Sequence, residues 1–467
     1  MKLSELLGVF ECDEVKGIAF DPKKVERGDL FFALKNPETS AIAAEKRGAV
    51  AIVAEKCVPV SVPLIRVNNV RRTFALVSKK FYGGAADDLS IYAVTGTNGK
   101  TTVTYIAQAI FEHAGIKTAV IGTNGTDFNG KHVEGKLTTP DPNDFHALLG
   151  SLKEKGAEAV VIEASAHALA LDKLCGVRFA TAAFTCLSRD HLDFFGTMEN
   201  YARAKEKLFS LANSFVVNAD DEFGMALAAK LENPLTYGIN SASDLTAENI
   251  DENEDGVSFD VRYRGEKARV FCPMIGRFNV YNSLCAIGIA IEAGIPLSVA
   301  ATGVGKTKEV DGRVNAIKFG GARIFIDFAH TEDGLRRVLS AARRITKNKL
   351  YCVFGCGGNR DEGKREKMGE AAAELCDGVI VTSDNPRYED PLTIISAIES
   401  GIKTVKDVDY SIEPDRKQAI RAAVNKLTGG DVLVVAGKGA ERYQEVRGVK
   451  IPHDDKAFVM ELLGEKS

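Results

Sequence analysis

The sequence has no tryptophan, no internal repeat and no low-complexity segment, which excludes solenoid, array and compositionally biased architectures. No apolar run reaches the roughly 18 residues of a membrane-spanning helix, and the start, MKLSELLGVFECDE, gains acids too early for a leader peptide. Nine cysteines stand singly, and the closest pair, Cys352 and Cys356, is not a C-x-x-C. That argues for reduced thiols in a cytoplasm, most of them acting as small buried hydrophobes. A net charge of −4 leaves no excess of positive charge for nucleic acid or an anionic membrane. What remains, 467 residues at 45% hydrophobic and 27% charged, is the composition of a globular protein of about three domains.

The chain is organised around residues 91–102, IYAVTGTNGKTT. A β-branched and aromatic run, Ile91 to Val94, ends in a Gly-rich turn, and a helix is expected from Val103 to Ala114. Strand, turn and helix N-terminus in that order make an anion cradle, because backbone N–H groups and the positive end of the helix dipole face the same point. Lys100 supplies a full charge for terminal phosphates, and the Thr101 hydroxyl is a Mg²⁺ ligand. Gly96, Thr97, Asn98, Gly99, Lys100, Thr101 and Thr102 are therefore the candidate nucleotide loop. The general P-loop pattern would need glycine where Val94 stands. The plain alternative is a glycine turn ahead of an ordinary helix.

This shortened loop resembles the TGTNGKTT element of the Mur ligase superfamily, ATP-dependent amide ligases. The resemblance extends over nearly the whole chain. In residues 1–87, DLFFAL and AVAIVAE read as buried strands and TFALVSKKFYG as a helix. The run from Asp21 to Ala33 resembles the family's nucleotide-sugar-binding module, with Pro22 and Lys23 where Ser and Arg are usual.

Residues 88–308 carry the remaining nucleotide and metal elements. Ala159 to Glu163 reads as a buried strand ending in an acid, and a carboxylate at a strand's C-terminal end beside a phosphate loop suits a second Mg²⁺ contact. Around it, Glu163, Ser165 and His167 match the family's EVSSHAL, while Ala166 and Lys173 replace its second serine and its arginine. Thr138-Thr139-Pro140 alone is a turn former; by resemblance Thr138 and Thr139, with Ser165 and Lys173, hold the sugar-nucleotide substrate. Residues 184–209, FTCLSRDHLDFFGTMENYARAKEKLF, resemble the family's SRDHLDFHGTMENYxxAKxxLF. A helix from Thr197 to Phe209 would present Lys205 one turn after Tyr201, and by composition alone it would be a solvated charged helix. By resemblance His191 ligates Mg²⁺ and Lys205 is carbamylated by CO₂. Carbamylation turns a metal-repelling ammonium into an oxygen anion, which requires an amine held neutral by its site. Residues 215–219 read as a strand, 242–274 as a hairpin, and Ser283 to Ala293 as a helix. Asn279 and Asn282, near that helix start, are N-cap candidates; in the superfamily they face adenine, Asn282 being the better candidate.

From residue 309 the pattern restarts as strands IFIDFA, LYCVFGC, GVIVTSD and DVLVVAG alternating with helices near 332–345, 363–376, 391–402 and 415–427. Such alternation predicts a largely parallel sheet with its site at the strands' C-terminal ends. Gly312-Arg313, Asp327 and His330-Thr331 resemble ATP-facing elements, with Phe328 in place of the usual tyrosine. Three further loops would converge on one crevice: Gly357 to Asp361 with Arg360; Asp384-Asn385-Pro386-Arg387; and Gly437 to Glu441. Two arginines clamp a carboxylate and Glu441 receives an ammonium. The DNPR run resembles the meso-diaminopimelate-adding branch, and Ala440 departs from the family's GKGHE.

The resemblance implies an α/β protein of three domains. These are a small mixed α/β UDP-sugar-binding domain (1–87), a central P-loop ATPase-like domain (88–308) and a Rossmann-like amino-acid-binding domain (309–467). It implies a cytoplasmic, monomeric ligase adding meso-diaminopimelate to UDP-MurNAc-L-Ala-D-Glu in peptidoglycan precursor synthesis, with ATP and two Mg²⁺ ions. No nucleic-acid or membrane partner is expected. Lys100, Glu163, His191 and Lys205 would form the catalytic set. The alternatives are a lysine-adding ligase, a Mur-like paralogue or folylpolyglutamate synthase relative acting on another carboxylate, and a non-catalytic ATP-binding protein.

Overall fold

The computed structural model describes residues 1–8, 14–405 and 408–464; residues 9–13 of the amino-terminal run read above lie outside them. The α/β elements gather in two compact units. One comprises Met1–Thr95, Ile116–Ala183 and Ala204–Phe215, the other Gly96–Gly115, Phe184–Arg203 and Val216–Ser467.

The first unit opens with a parallel sheet of Gly17–Ala19, Asp29–Phe32, Ala51–Ala54 and Leu64–Arg66, in chain order. Because side chains alternate along a strand, Leu30 and Phe32 join one core with Phe74 and Val77, while Phe31 joins Ala41 and Ala44 on the opposite face. After Asp29 the strand is therefore apolar at each position, Leu30 to Phe32, as a strand covered on both faces must be. The unit continues with parallel strands Ser90–Thr95, Ala159–Glu163 and Thr118–Gly122, of which Ala159–Glu163 lies in the middle. The expected strand and acid at 159–163 are found at those residues.

In the second unit the loop's helix runs Lys100–His113, beginning three residues earlier than the periodicity suggests. It packs on the helices Phe278–Glu292 and Leu297–Val304. A Cβ on Gly303 would lie 2.7 Å from the Ile110 Cα, so a small residue sets the close approach. The expected hairpin over 242–274 is a three-stranded antiparallel meander: Leu245–Asn253, Gly256–Tyr263 and Glu266–Cys272. The helix expected to begin at Ser283 begins at Phe278, with Arg277 as its N-cap, so neither Asn279 nor Asn282 caps it. The helix expected over 197–209 is α-helical over Met198–Glu206 and tightens to a 3₁₀ turn over Lys207–Leu211.

The C-terminal sheet is ordered Asn315–Phe319, Ala322–Asp327, Val432–Ala436, Leu350–Phe354, Gly378–Val381 and Asp409–Ile412, the first strand antiparallel and the rest parallel. Helices Glu332–Ile345, Arg365–Leu375 and Pro391–Ile402 contribute to the core on one face, and Arg416–Lys426 and Asp455–Gly464 to that on the other. This is the alternation read from the sequence. Among the described residues all eight cysteines are free thiols, six of them buried, and no helix is long and apolar enough to cross a membrane.

Candidate active site

The phosphate loop is shaped by what its glycines exclude. Gly96 has φ 148° and Gly99 φ 89°. A Cβ on Gly96 would lie 1.8 Å from the Thr185 hydroxyl oxygen, and one on Gly99 2.5 Å from Asn282 Oδ1. Any side chain would push the loop off its support. Lys100 Nζ donates to the carbonyls of Gly96 (3.0 Å) and Thr97 (2.9 Å), so the cation lies over the loop. Thr97 and Ser188 are linked twice, Thr97 Oγ1 donating to the Ser188 carbonyl (3.1 Å) and accepting from the Ser188 N–H (3.0 Å). Asn98 donates to Asp333 (2.9 Å), and its carbonyl accepts from the Thr185 hydroxyl (2.6 Å). Thr101 and Thr102 are buried, and Arg313, stacked over the Phe328 ring at 4.5 Å, donates to the Thr101 hydroxyl at 2.8 Å.

Asp190 forms the electrostatic centre next to this loop. Its carboxylate lies 3.3 Å from His191 Nε2, 3.5 Å from His330 Nε2 and 3.6 Å from Lys364 Nζ. Burial alone would raise its pKa, but the hydrogen bond and charge of His330, with the charges of Lys364 and His191, hold it well below the usual carboxylate range. His191 has φ 56°, a left-handed backbone with its N–H on Asp190 Oδ1 (2.9 Å). Asp327, at the end of its strand, goes the other way: burial raises it despite Arg313 and the N–H groups of Val314 and Ala329. Asn279 and Asn282 are buried; Asn279 donates to the Ile275 carbonyl (2.8 Å) and Asn282 to Asn279 Oδ1 (2.8 Å). A cleft of about 350 Å³ includes Cys186, Asp221, Phe278, Tyr281 and Arg337 in its lining.

The three predicted amino-acid loops meet at the ends of the C-terminal sheet. Gly358 N–H donates to the Asn385 carbonyl (2.9 Å), and Arg387 Nη1 donates to the Gly358 carbonyl (2.7 Å). Asn385 Nδ2 donates to Glu441 (2.9 Å). Beneath them Lys438 is fully buried, its Nζ on Asn385 Oδ1 (2.9 Å), the Tyr443 carbonyl (2.8 Å) and Glu441 (3.3 Å). Asp384 Oδ1 accepts from the Asn385 N–H (2.6 Å) and lies 3.9 Å from Lys438 Nζ, while its Oδ2 is buried with no hydrogen-bond partner within the protein. Gly437, with φ 113°, leaves room for it, since a Cβ there would be 2.6 Å from that oxygen. An unpartnered buried carboxylate oxygen is costly alone and favourable against a ligand ammonium. Arg360 is half-exposed and reaches Asp193 at 3.6 Å.

The first unit holds the other predicted residues. Glu163 is 1% exposed, its carboxylate accepting from the Thr123 N–H (2.8 Å) and hydroxyl (3.1 Å). A Cβ on Gly122 would meet that carboxylate at 2.2 Å, so the glycine keeps its place open. Thr139 donates to the Glu163 carbonyl (2.7 Å) and accepts from the Ser165 N–H (3.0 Å), while the hydroxyls of Thr138 and Thr123 are 3.1 Å apart. Lys173 pairs with Asp141 at 2.8 Å. Lys205 is 1% exposed, not the solvated lysine that composition alone would suggest. Among the described residues no three His, Cys, Asp or Glu group into an all-protein metal cage.

The sequence reading passed over Arg189, Asp190, Lys364, Arg365 and Lys438. Arg189 and Asp190 stood inside the quoted SRDH run and Lys438 inside the Gly437 to Glu441 loop; Lys364 and Arg365 gave no local signal, since their partners Asp190 and Glu389 are distant in the chain.

Comparison with known proteins adds the family. A model of the Mur ligase middle domain matches residues 94–290, and one of the Mur ligase, glutamate ligase domain matches residues 312–439. A UDP-N-acetylmuramoyl-L-alanyl-D-glutamate--2,6-diaminopimelate ligase of Solibacter usitatus is 39% identical, the alignment covering 96% of this chain and 94% of the relative. The ligase of the same name from Clostridium botulinum is 38% identical over 97% of this chain and 96% of its own. A solved structure of a ligase with that name superposes with a TM-score of 0.71 at 32% identity, covering 100% of this chain and 99% of that one.

Proposed function

The chain belongs to the Mur ligase family, and from that premise we propose that it joins meso-diaminopimelate to the D-glutamyl end of UDP-N-acetylmuramoyl-L-alanyl-D-glutamate, cleaving ATP to ADP and phosphate. The observation that carries this reading is the amino-acid pocket: Arg387 and Glu441 on converging loops, with a buried Asp384 oxygen that has no hydrogen-bond partner on the first of them. A diamino acid with a distal carboxylate needs an arginine at one end and acids at the other; lysine has no second carboxylate for the arginine. Full-length relatives bearing this activity in their names support the same choice.

In the proposed reaction the substrate carboxylate attacks the γ-phosphate, giving an acyl phosphate and ADP. The neutral amine of the amino acid then adds to the acyl carbon, and the tetrahedral intermediate expels phosphate. Lys100 offsets charge developing on the transferred phosphoryl group. Arg360, Arg387 and Glu441 orient the nucleophile, turning a bimolecular encounter into an oriented one. Thr138, Thr139, Ser165 and Lys173 are the proposed contacts to the sugar nucleotide, and Arg313, Asp327, His330, Asn279 and Asn282 those to the nucleotide. The cleft beside Tyr281 is the candidate seat of its base. Mg²⁺, when bound, polarises the phosphate oxygens. Thr101, Glu163, His191 and a carbamylated Lys205 are its proposed ligands. We retain 1–87, 88–308 and 309–467 as the functional division, and substrates of this kind assign the work to the cytoplasm. The test is ATP-dependent phosphate release against a panel of UDP-muramoyl peptides and amines. Turnover only with the dipeptide and meso-diaminopimelate is expected; equal turnover with lysine would overturn the specificity.

A further inference from the structure

Two adjacent residues where the short turn following the Gly357–Asp361 loop runs into the helix Arg365–Leu375 reach in different directions. Lys364, 7% exposed, points its ammonium at Asp190 (3.6 Å), in the loop that carries His191. Arg365, 4% exposed, grips Glu389 with both contacts from one nitrogen (2.8 and 3.0 Å), in the loop that carries Arg387. The same turn is fixed again on each side. Asp361 takes two hydrogen bonds from Arg189 (2.9 and 3.1 Å), and a Cβ on Gly363 would be 2.5 Å from that guanidinium. On the other side, Gly358 N–H and the Arg387 guanidinium bridge to the DNPR loop. The Asp190 loop in turn holds the phosphate loop through the double Thr97–Ser188 link.

We propose that residues 357–365 couple amino-acid binding to nucleotide binding, with Lys364 and Arg365 as the positioning residues that transmit it. The reason is the burial of both cations. If the loop on either side moved away alone, it would leave a charge buried without its partner, so the two loops are held to one joint arrangement. A ligand that fixes one loop then favours the ligand of the other, and by linkage the effect is reciprocal. Neither residue touches a substrate in this account; each acts through Asp190 or Glu389. The inference rests on the proposed function, because it takes the DNPR crevice as the amino-acid site.

The experiment uses the full-length protein and two titrations by calorimetry: ADP with Mg²⁺ in the absence and presence of saturating meso-diaminopimelate. In the wild type the amino acid should tighten ADP by about 5- to 150-fold, the usual span of a coupling between sites. In Lys364→Met the ratio should fall to one while each ligand alone binds within a factor of a few of wild type, and Lys364→Arg should restore the ratio. If Lys364→Met does not fold, Arg365→Met, which removes the cation that holds Glu389, carries the same expectation. A wild-type ratio of one, or an unchanged ratio in these variants, overturns the coupling while tripeptide formation by the wild type still upholds the functional reading. A wild type that forms no tripeptide and binds no meso-diaminopimelate overturns both.

Discussion

Arg313 and Thr101, 212 positions apart in the chain, are joined by a hydrogen bond of 2.8 Å from guanidinium to hydroxyl. The guanidinium carbon of the arginine lies over the Phe328 ring, 4.5 Å from its centre, a cation–π contact. The threonine hydroxyl accepts this bond. The contact therefore ties the start of the C-terminal sheet to the second residue of the phosphate-loop helix.

Removing this tie should act on nucleotide first. Arg313→Ala is expected to raise the KM for ATP by about 10- to 100-fold, the cost of a charge-assisted hydrogen bond at a loop that must hold charge. The KM for the amino acid should change less. Steady-state kinetics with each substrate varied in turn checks it; a larger effect on the amino acid would contradict the role.

Lys205→Ala should abolish turnover, and added formate should partly restore it. The side chain is 1% exposed, and the proposed function assigns it, as its carbamate, to the metal. Unassisted turnover at the wild-type rate in the variant would remove the lysine from the metal site.

Arg387→Ala should raise the KM for meso-diaminopimelate far more than that for ATP. The residue has φ 53° and is held by the Gly358 carbonyl and by Glu445 at 3.3 Å, so its guanidinium is placed before ligand arrives. Equal effects on both constants would dismiss the assignment of this crevice.

His146 provides a pH-dependent contribution to stability remote from the chemistry. It is 1% exposed and its Nε2 has no partner within the protein. Burial, aided by the charge of Lys79, lowers it from 6.5 to about 4. The folded state thus favours the neutral ring, and the unfolded chain binds the extra proton between those two values. Stability from this group is complete above pH 6.5 and is lost as pH falls towards 4, by roughly 3 kcal/mol in all. Denaturant titrations at several pH values should show that slope, and His146→Leu should flatten it.

Behind the amino-acid loops, Arg416 and Asp455 form a buried pair at 2.6 Å, with His453 on the same carboxylate at 2.7 Å. Arg416 also donates to the Ala436 carbonyl, just before Gly437. Arg416→Met alone should destabilise the protein by about 3–5 kcal/mol, because it strands a buried carboxylate, whereas Arg416→Met with Asp455→Leu should cost much less. Chemical denaturation of the three proteins decides it.

Local pattern revealed much of this architecture. The IYAV run, the glycine turn and the GKTT helix start could be read because each has its own backbone requirement. The C-terminal strands and helices could be read because their apolar periods alternate. Other features were hidden for identifiable reasons. Phe278, Asn279, Tyr281 and Asn282 are poor or indifferent helix formers, so the helix was expected only from Ser283; tertiary packing of that first turn overrides propensity. The meander over 245–272 looked like one hairpin because both its turns, Glu254-Asp255 and Arg264-Gly265, are only two residues long and barely interrupt the alternation. The burial of Lys364, Lys438 and Lys205 was beyond any local reading, since a lysine's burial depends on partners and walls contributed from elsewhere in the chain.

The distribution of thiols has a practical consequence for anyone handling the enzyme. Cys57 is exposed and Cys175 part-covered, while the other six described cysteines face the interior. Burial pushes Cys285 and Cys356 up to about 12, leaving almost none of the reactive anion at neutral pH. Once Cys12, outside the described residues, is replaced, a maleimide dye should mark Cys57 first and report on the amino-terminal sheet. Late uptake of further dye would then time the opening of the interior.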